Sequence, residues 1–118
     1  MTELRGLQIY TQGDLTIVTF KGKGSLAEQS FIGAATEHLD QIVQDHNSKV
    51  LVIELGGITA LPSAMLGVLV GVKNRGVEVR LFNAGQDVRF TLELMKLDEM
   101  FDLREGDLSS LIETATEE

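Results

Sequence analysis

The sequence predicts a single α/β domain in which a mixed, mostly parallel five-stranded sheet is packed by about four helices. The first observation behind this prediction is that, after an N-terminal hairpin, β-rich stretches alternate with helical ones. Such alternation implies right-handed crossovers between parallel strands. The second is that 118 residues with 43% hydrophobic content suit one domain with a buried core and exclude a disordered chain.

The first two strands are predicted to form a hairpin, which is followed by a helix. Leu7–Tyr10 and Leu15–Phe20 are rich in β-forming residues, and the turn sequence Gln12-Gly13-Asp14 separates them. Ser25-Leu26-Ala27-Glu28 has the spacing of a capping box, so a helix is predicted from there to about Asp45. Its apolar residues recur at helical spacing and form one stripe, made of Phe31, Ala35, Leu39, Ile42 and Val43.

The middle of the chain is its most apolar part. Val50–Val72 is 23 residues long and carries a single charge, so by length alone it could span a bilayer. However, Gly56-Gly57 and Pro62 interrupt it, and its first residues are β-branched, as in a buried parallel strand. We therefore predict a buried strand over Lys49–Leu55, a turn, and a buried helix from Pro62 to about Lys73, and not a membrane span.

Two glycines share one face of this predicted buried helix. Gly67 and Gly71 are four residues apart, a spacing that lets helix backbones approach their neighbours closely. We interpret them as allowing close packing of the helix against the sheet.

The last third of the chain continues the alternation of strands and helices. Val77–Phe82 alternates in polarity and predicts a strand. A third helix is predicted to open at Gln86 or Asp87. Leu97–Leu103 predicts a turn and a short last strand, and Asp107 is a good N-cap for a final helix over Leu108–Thr114. The core stripe of the third helix is predicted to consist of Val88, Leu92 and Met95, joined by Thr91.

Composition narrows the classes of function. The formal net charge is −8, which argues against nucleic acid and anionic membranes as partners, because proteins bind both through Lys and Arg. Without cysteine there is no disulfide, thiolate metal site or thiol nucleophile. Met1–Arg5 lacks the basic region and apolar core of a signal peptide, so we expect a cytoplasmic location.

The sequence carries no recognisable signature of catalysis or of a cofactor. There is no Gly-rich phosphate loop followed by Lys and no GxSxG elbow; Gly22-Lys23-Gly24 is only a weak fragment of a nucleotide-binding loop. His38 and His46 lie about 80° apart around one predicted helix, so they do not converge on a metal. Glu54 is interpreted as a partly solvated turn residue. We therefore expect no enzyme, no cofactor and no metal site.

Ser63 is the polar residue of greatest interest. It follows Pro62 at the start of the predicted buried helix, beyond the carboxyl end of the central strand, where α/β folds place their sites. A helix N-terminus is a preformed anion site, and phosphorylation would add about −1.5 to −2 charges there. The alternative is a plain helix-start serine, because Ser is common at helix starts in general.

Taken together, several segments resemble the STAS domains, the family of the anti-sigma factor antagonists. Val50–Thr59 is similar to the family's central strand and loop, and Pro62–Gly67 stands where the family usually has Asp-Ser-Ser-Gly-Leu-Gly. Gly76–Asn83 resembles the family's next strand. Val88–Leu94 resembles its third helix, and Leu97–Phe101 resembles the turn after that helix. The resemblance covers about Leu7 to Leu111 and implies a single STAS-like domain over residues 1–118.

The resemblance implies a bacterial regulator that acts by partner switching. In the family, the unphosphorylated domain binds a serine kinase that is also the anti-sigma factor, and the sigma factor is released. The kinase phosphorylates the first serine of the run, and a PP2C-type phosphatase resets it. That serine falls on Ser63, so the implied role is that of a phosphoprotein in signal transduction and transcription regulation. The implied partner-binding residues are Pro62, Ser63, Ala64, Met65 and Leu66.

The run around Ser63 departs from the family at three positions. Pro62, Ala64 and Met65 stand where the family has Asp, Ser and Gly. Two alternatives to the switch therefore stay open: a degenerate domain that binds without being phosphorylated, and a constitutive scaffold or subunit of a larger complex. A homo-oligomer is also left open. Met65 is either an exposed part of a binding surface, a role that suits Met, or a core residue, and its solvent accessibility decides between the two.

Overall fold

The computed structural model describes residues 2–4, 7–20, 24–25 and 32–107, and within these ranges it contains eight strands and three helices. As predicted, helices alternate with strands after an N-terminal hairpin. The elements in chain order are β1 (Thr2–Leu4), β2 (Leu7–Gln12), β3 (Leu15–Phe20), β4 (Gly24–Ser25), α1 (Ile32–Asp45), β5 (Val50–Glu54), β6 (Ile58–Ala60), α2 (Ser63–Asn74), β7 (Glu78–Phe82), α3 (Gln86–Leu94) and β8 (Asp102–Arg104).

Six strands form one mixed sheet in the order β1-β2-β3-β5-β7-β8. The pairs β1–β2 and β2–β3 are antiparallel, and the pairs β3–β5, β5–β7 and β7–β8 are parallel. The predicted hairpin and the mostly parallel sheet are therefore confirmed. The sheet has one strand more than the five predicted, because β1 is only three residues long, too short for a periodic signal in the sequence. The short strands β4 and β6 form a separate parallel pair.

Strand residues alternate between two buried clusters, one on each face of the sheet. Leu51 and Ile53 of β5 join a large cluster to which α1, α2 and α3 all contribute. The smaller cluster consists of strand residues on the other face, namely Leu15, Ile17, Val52 and Phe82. The three described helices thus pack on one face of the sheet, and the central strands are buried on both faces, as parallel strands usually are.

The first helix is described from Ile32 to Asp45. Ser25, the predicted N-cap, lies in β4, and residues 26–31 fall outside the described residues. The predicted stripe is confirmed for Leu39 and Val43, which are buried. After the helix, Asn47 adopts the left-handed conformation, with φ of 48°. The Ser48 N–H then donates to the Val43 carbonyl at 3.0 Å, a hydrogen bond typical of helix C-termini.

The prediction for Gly67 and Gly71 is wrong. A Cβ atom at either position would meet no heavy atom of the described residues within 4 Å, apart from the helix's own backbone. The face of α2 that packs on the sheet carries the buried residues Met65, Leu66, Leu69 and Val72. Gly67 lies two residues, or about 200° of helix turn, beyond Met65. The two glycines therefore face away from the core.

The core stripe of α3 is shorter than predicted. Val88 and Leu92 are buried, but Thr91 is exposed and Met95 is 50% exposed. The helix ends at Leu94, and the chain then reverses through Lys96, which has φ of 58°. Because of this turn, Leu97 takes the core position that the helical period assigned to Met95, and it is buried.

The apolar stretch Val50–Val72 is divided into β5, β6 and α2, which confirms the predicted strand, turn and helix. Over the part of the chain that the structure describes, none of the helices has both the length and the apolar character needed to cross a bilayer. The predicted last strand is confirmed as β8. The predicted helix over Leu108–Thr114 lies outside the described residues.

Candidate functional site

The candidate site is the start of α2, beyond the carboxyl end of β5. Pro62 is the N-cap, with φ of −63° and ψ of 145°, so the helix begins at Ser63, one residue later than predicted. The Pro62 carbonyl accepts the N–H groups of Met65 at 3.0 Å and Leu66 at 3.2 Å. Proline fits here because its ring fixes φ near the observed value and its missing N–H is not needed.

The N-terminus of α2 presents an exposed positive dipole end. The side chains of Ser63 and Ala64 are exposed. Their N–H groups belong to the first turn, in which no preceding helix carbonyl is available to accept them. The first turn contains no acidic residue, whereas Lys73 occupies the last turn. Lys73 thus complements the negative end of the helix dipole, but no acidic residue of the first turn complements the positive end. An anion would therefore be favoured beside Ser63.

Two of the predicted partner-binding residues have buried side chains. Met65 is 0% exposed and Leu66 is 3% exposed, and both belong to the large core cluster. The interpretation of Met65 as an exposed binding residue is therefore wrong, and the core interpretation is confirmed. The physical reason is helical periodicity, because Met65 and Leu69 share the face of α2 that covers the sheet. Pro62 is half-buried and remains accessible with Ser63 and Ala64.

A hydrogen-bond network joins three strand ends at the same edge of the sheet. The Asn83 side-chain amide donates to Glu54 Oε2 at 2.5 Å and to the Gly106 carbonyl at 2.7 Å. Asn83 Oδ1 in turn accepts the Gly106 N–H at 3.1 Å. Glu54 Oε1 accepts the Gly56 N–H. The ends of β5, β7 and β8 are thus tied to one another by two side chains.

Sequence analysis did not single out Asn83 for this position. The residue follows β7 directly and has φ of 60°, a left-handed conformation that Asn tolerates better than most residues. Its backbone N–H donates to the Arg104 carbonyl at 2.8 Å. The available signal was that Asn83 and Glu54 both stand at the carboxyl ends of strands predicted to belong to a mostly parallel sheet. The side chain of Glu54 is half-buried, as predicted, but the residue is the last of β5, paired with Phe82, and not a turn residue.

The loop that leads to Ser63 is held by backbone contacts on both sides. Gly57 has φ of 80°, and the Ile58 N–H donates to the Leu55 carbonyl at 3.0 Å. Ile58 is buried, and β6 pairs with β4 through Gly24–Ile58 and Ser25–Ala60. This pairing places Ser25 near the approach to Ser63. The loop before α2 is therefore anchored by its pairing with β4 and by the burial of Ile58 in the core.

The two histidines lie away from this edge, on or just after α1, and both are exposed. In the described ranges, no group of three or more His, Asp or Glu side chains is arranged to hold a metal ion. The exposed start of α2 suits the binding of an anion or of a partner surface.

Several solved structures with a similar fold are described as anti-sigma factor antagonists or as SpoIIAA. The antagonist SpoIIAA in its unphosphorylated form has a TM-score of 0.72 and 11% identity, with 92% of this chain and 94% of that chain covered. An antagonist from Mycobacterium paratuberculosis has a TM-score of 0.69 and 18% identity, covering 94% and 93%. The Bacillus cell fate determinant SpoIIAA in the phosphorylated form has a TM-score of 0.64 and 12% identity, covering 92% and 97%.

At these identities the likeness shows a shared fold. No curated protein sequence matches the chain. The family model for the STAS domain matches residues 7–114, which include every element from β2 to β8 and the edge built around Ser63. The chain therefore belongs to the STAS domain family.

Proposed function

We propose that this chain is a cytoplasmic, non-enzymatic regulator of the anti-sigma factor antagonist type that acts by partner switching. Unphosphorylated, it binds a serine kinase that is also an anti-sigma factor. Phosphorylation of Ser63 releases that partner, and a PP2C-type phosphatase restores binding. The observation that carries the proposal is the exposed Ser63 at the N-terminus of α2, in the place of the serine that the family phosphorylates.

The proposed docking surface is the accessible part of the α2 start. Its exposed members are Ser63 and Ala64, and Leu61 and Pro62 are half-buried beside them. Met65 and Leu66 contribute indirectly, because their buried side chains pack the first turn of α2 against the core. The accessible surface is mostly apolar, so a partner can dock on it without stripping water from a charge.

Phosphorylation changes that surface by adding charge at one point. The dianion is itself favoured by the dipole of α2 and by the N–H groups of Ser63 and Ala64. A docked partner would have to desolvate it and accept a charge against a formerly neutral contact, which opposes binding. The switch therefore needs no rearrangement of the fold.

The proposal is tested by kinase treatment and by binding measurements on variants. The intact chain is incubated with an anti-sigma-type serine kinase and ATP, and phosphopeptide mass spectrometry should place the phosphate on Ser63. By calorimetry, Ser63→Asp should bind that kinase at least tenfold more weakly, whereas Ser63→Ala should bind like the unmodified chain. Asn74→Asp is the matched control, because it adds the same charge at the opposite, exposed end of α2.

Equal affinity of the unmodified chain, Ser63→Ala and Ser63→Asp would contradict the switch. If the complex also persisted in light scattering at low concentration, a constitutive subunit would be the better description. A phosphate on another residue would leave Ser63 as an ordinary helix-start serine.

A further inference from the structure

Exposed apolar side chains are concentrated on α3. Four large hydrophobic residues of the described chain are exposed, and three of them are Phe90 at 59%, Leu94 at 68% and Met95 at 50%; the fourth is Tyr10 on β2. Single exposed apolar residues are ordinary on protein surfaces, but a contiguous group of them marks an interaction site. We call Phe90 and Leu94 the α3 patch, and Met95 follows Leu94 directly at the end of the helix.

The α3 patch has no part in the packing of the helix on the sheet. Phe90 and Leu94 are four residues apart and are neighbours on one helix face. Val88 and Leu92, which bury the helix, each lie two residues from Phe90, or about 200° around the axis. Phe90 therefore lies on the side of α3 that faces away from the core, and it belongs to neither buried cluster.

Exposed carboxylates lie close to the α3 patch along the chain. Asp87 and Glu93 are exposed on α3 itself, and Glu99 is exposed in the turn that follows. Of the nearby cations, Arg89 is engaged, because it donates to the Ala84 carbonyl at 3.0 Å and to Glu105 at 3.0 Å. Lys96 is the other cation close to the patch in sequence. The rim is thus predominantly acidic, in line with the formal net charge of −8.

We propose that the α3 patch docks a basic amphipathic helix of a partner protein, at a site separate from Ser63. The partner's apolar stripe would cover Phe90 and Leu94, and its Lys and Arg residues would face Asp87 and Glu93. Such helix faces dock through apolar anchors at i, i+3 and i+4, and the complementary rim charges speed association.

The charges favour this occupant over two others. A second copy of the chain would bring one acidic rim against another. The chain's own segment 108–118 has apolar residues, but its charged residues are three glutamates, Glu113, Glu117 and Glu118. Both of these occupants repel the rim, whereas a basic helix complements it.

The test uses a fluorescein-labelled helical peptide of about five turns, with a Leu stripe and otherwise Lys, and measures its binding by fluorescence anisotropy. The variant Phe90→Ser/Leu94→Ser should bind it at least tenfold more weakly than the unmodified chain. Tyr10→Ser is the matched control, since it removes an exposed aromatic from the sheet, and it should bind normally. Ser63→Ala should also bind normally, which separates this result from the partner switch.

Two further measurements test the role of the acidic rim and whether the double variant is folded. Glu93→Lys should weaken binding of the Lys peptide several-fold, and a peptide with Glu in place of Lys should not bind. Because Phe90 and Leu94 are exposed, the double variant should keep the circular dichroism spectrum of the unmodified chain.

Three outcomes would overturn the proposal. The first is equal peptide affinity for the double variant and the unmodified chain. The second is self-association of the unmodified chain in analytical ultracentrifugation that the double variant abolishes, which would make a second copy the occupant. The third is tighter peptide binding to Leu111→Ser/Ile112→Ser, which would show that the chain's own segment occupies the patch.

Discussion

Asn83 joins the carboxyl ends of three strands of the sheet. Its side chain bonds Glu54, 29 residues away, and Gly106, 23 residues away, while its backbone occupies the left-handed region at φ of 60°. One of the three strands that it joins is β5, from which the chain leads through β6 to α2. Asn83 is therefore a positioning residue for the site and not a contact residue.

Asn83→Ala should lower the free energy of unfolding by about 2 kcal/mol. The substitution leaves partly buried groups of Glu54 and Gly106 without this partner and places a Cβ-bearing residue in the left-handed region. Urea denaturation measures the change. Asn83→Gly removes the side chain but suits the backbone, so it should lose less stability than Asn83→Ala. Equal losses in the two variants would mean that backbone conformation contributes nothing.

The dipole of α2 should act on single charges placed at its two ends. Ser63→Asp should raise the free energy of unfolding by about 0.3–1 kcal/mol at low ionic strength, and Asn74→Asp should lower it by a similar amount. Both positions are exposed, so packing changes little. Urea denaturation with and without added salt provides the measurement, because salt should shrink both effects. Shifts of the same sign would show that the dipole does not dominate.

At the scale of single elements, α2 has a buried face and an accessible one although its sequence barely distinguishes them. Almost every residue of it is apolar or small, so its composition does not indicate which side faces the sheet. In the structure Met65 and Leu69 are fully buried, and Gly67 and Gly71 face away from the core. The accessible face of α2 near Ser63 thus includes the small residues Ala64 and Gly67.

Gly67→Ala and Gly71→Ala should each stabilise the protein by about 0.5–1 kcal/mol. Alanine is the better helix former, and the added Cβ meets no described neighbour within 4 Å. Met65→Ala is the contrasting substitution on the buried face and should destabilise the protein by about 2–5 kcal/mol through a cavity. Thermal unfolding followed by circular dichroism ranks the variants. Destabilisation by either glycine substitution would restore the close-packing interpretation.

At the scale of the whole molecule, the two buried clusters share the same strands. Leu51 and Ile53 face the helices, and Val52 between them faces the opposite cluster. Neither cluster can lose its packing without disturbing β5. Because of this shared strand, the domain should unfold as one cooperative unit.

Two probes on opposite faces of the sheet can check this cooperativity. The single tyrosine, Tyr10, pairs with Ile17 of the smaller cluster, and the chain has no Trp, so its fluorescence reports on that face. Circular dichroism at helical wavelengths reports on the other face. The two urea midpoints should coincide in the unmodified chain and move together in Met65→Ala. Separate midpoints would indicate that the faces unfold independently.

Local patterns in the sequence were sufficient to establish the order of the elements. The hairpin turn, the β-branched central strand and Pro62 at the start of α2 each act over a few residues, and β2, β3, β5 and α2 were placed within about two residues of their observed bounds. Short pairing strands such as β1 and β4 escaped prediction, because two or three residues carry no periodicity.

By itself the sequence determined the fold class, the mostly parallel sheet and the location of Ser63 at a helix N-terminus. These properties follow from local periodicity and from the composition of turns. Only the tertiary structure decided that Met65 is core, that Gly67 and Gly71 face outward and that the α3 patch is exposed. In a helix that is almost wholly apolar, such as α2, periodicity shows which residues share a face. Long-range packing decides which of those faces is buried against the sheet. The Glu54–Asn83–Gly106 network is of the same kind, because its members meet only when three strands are laid side by side.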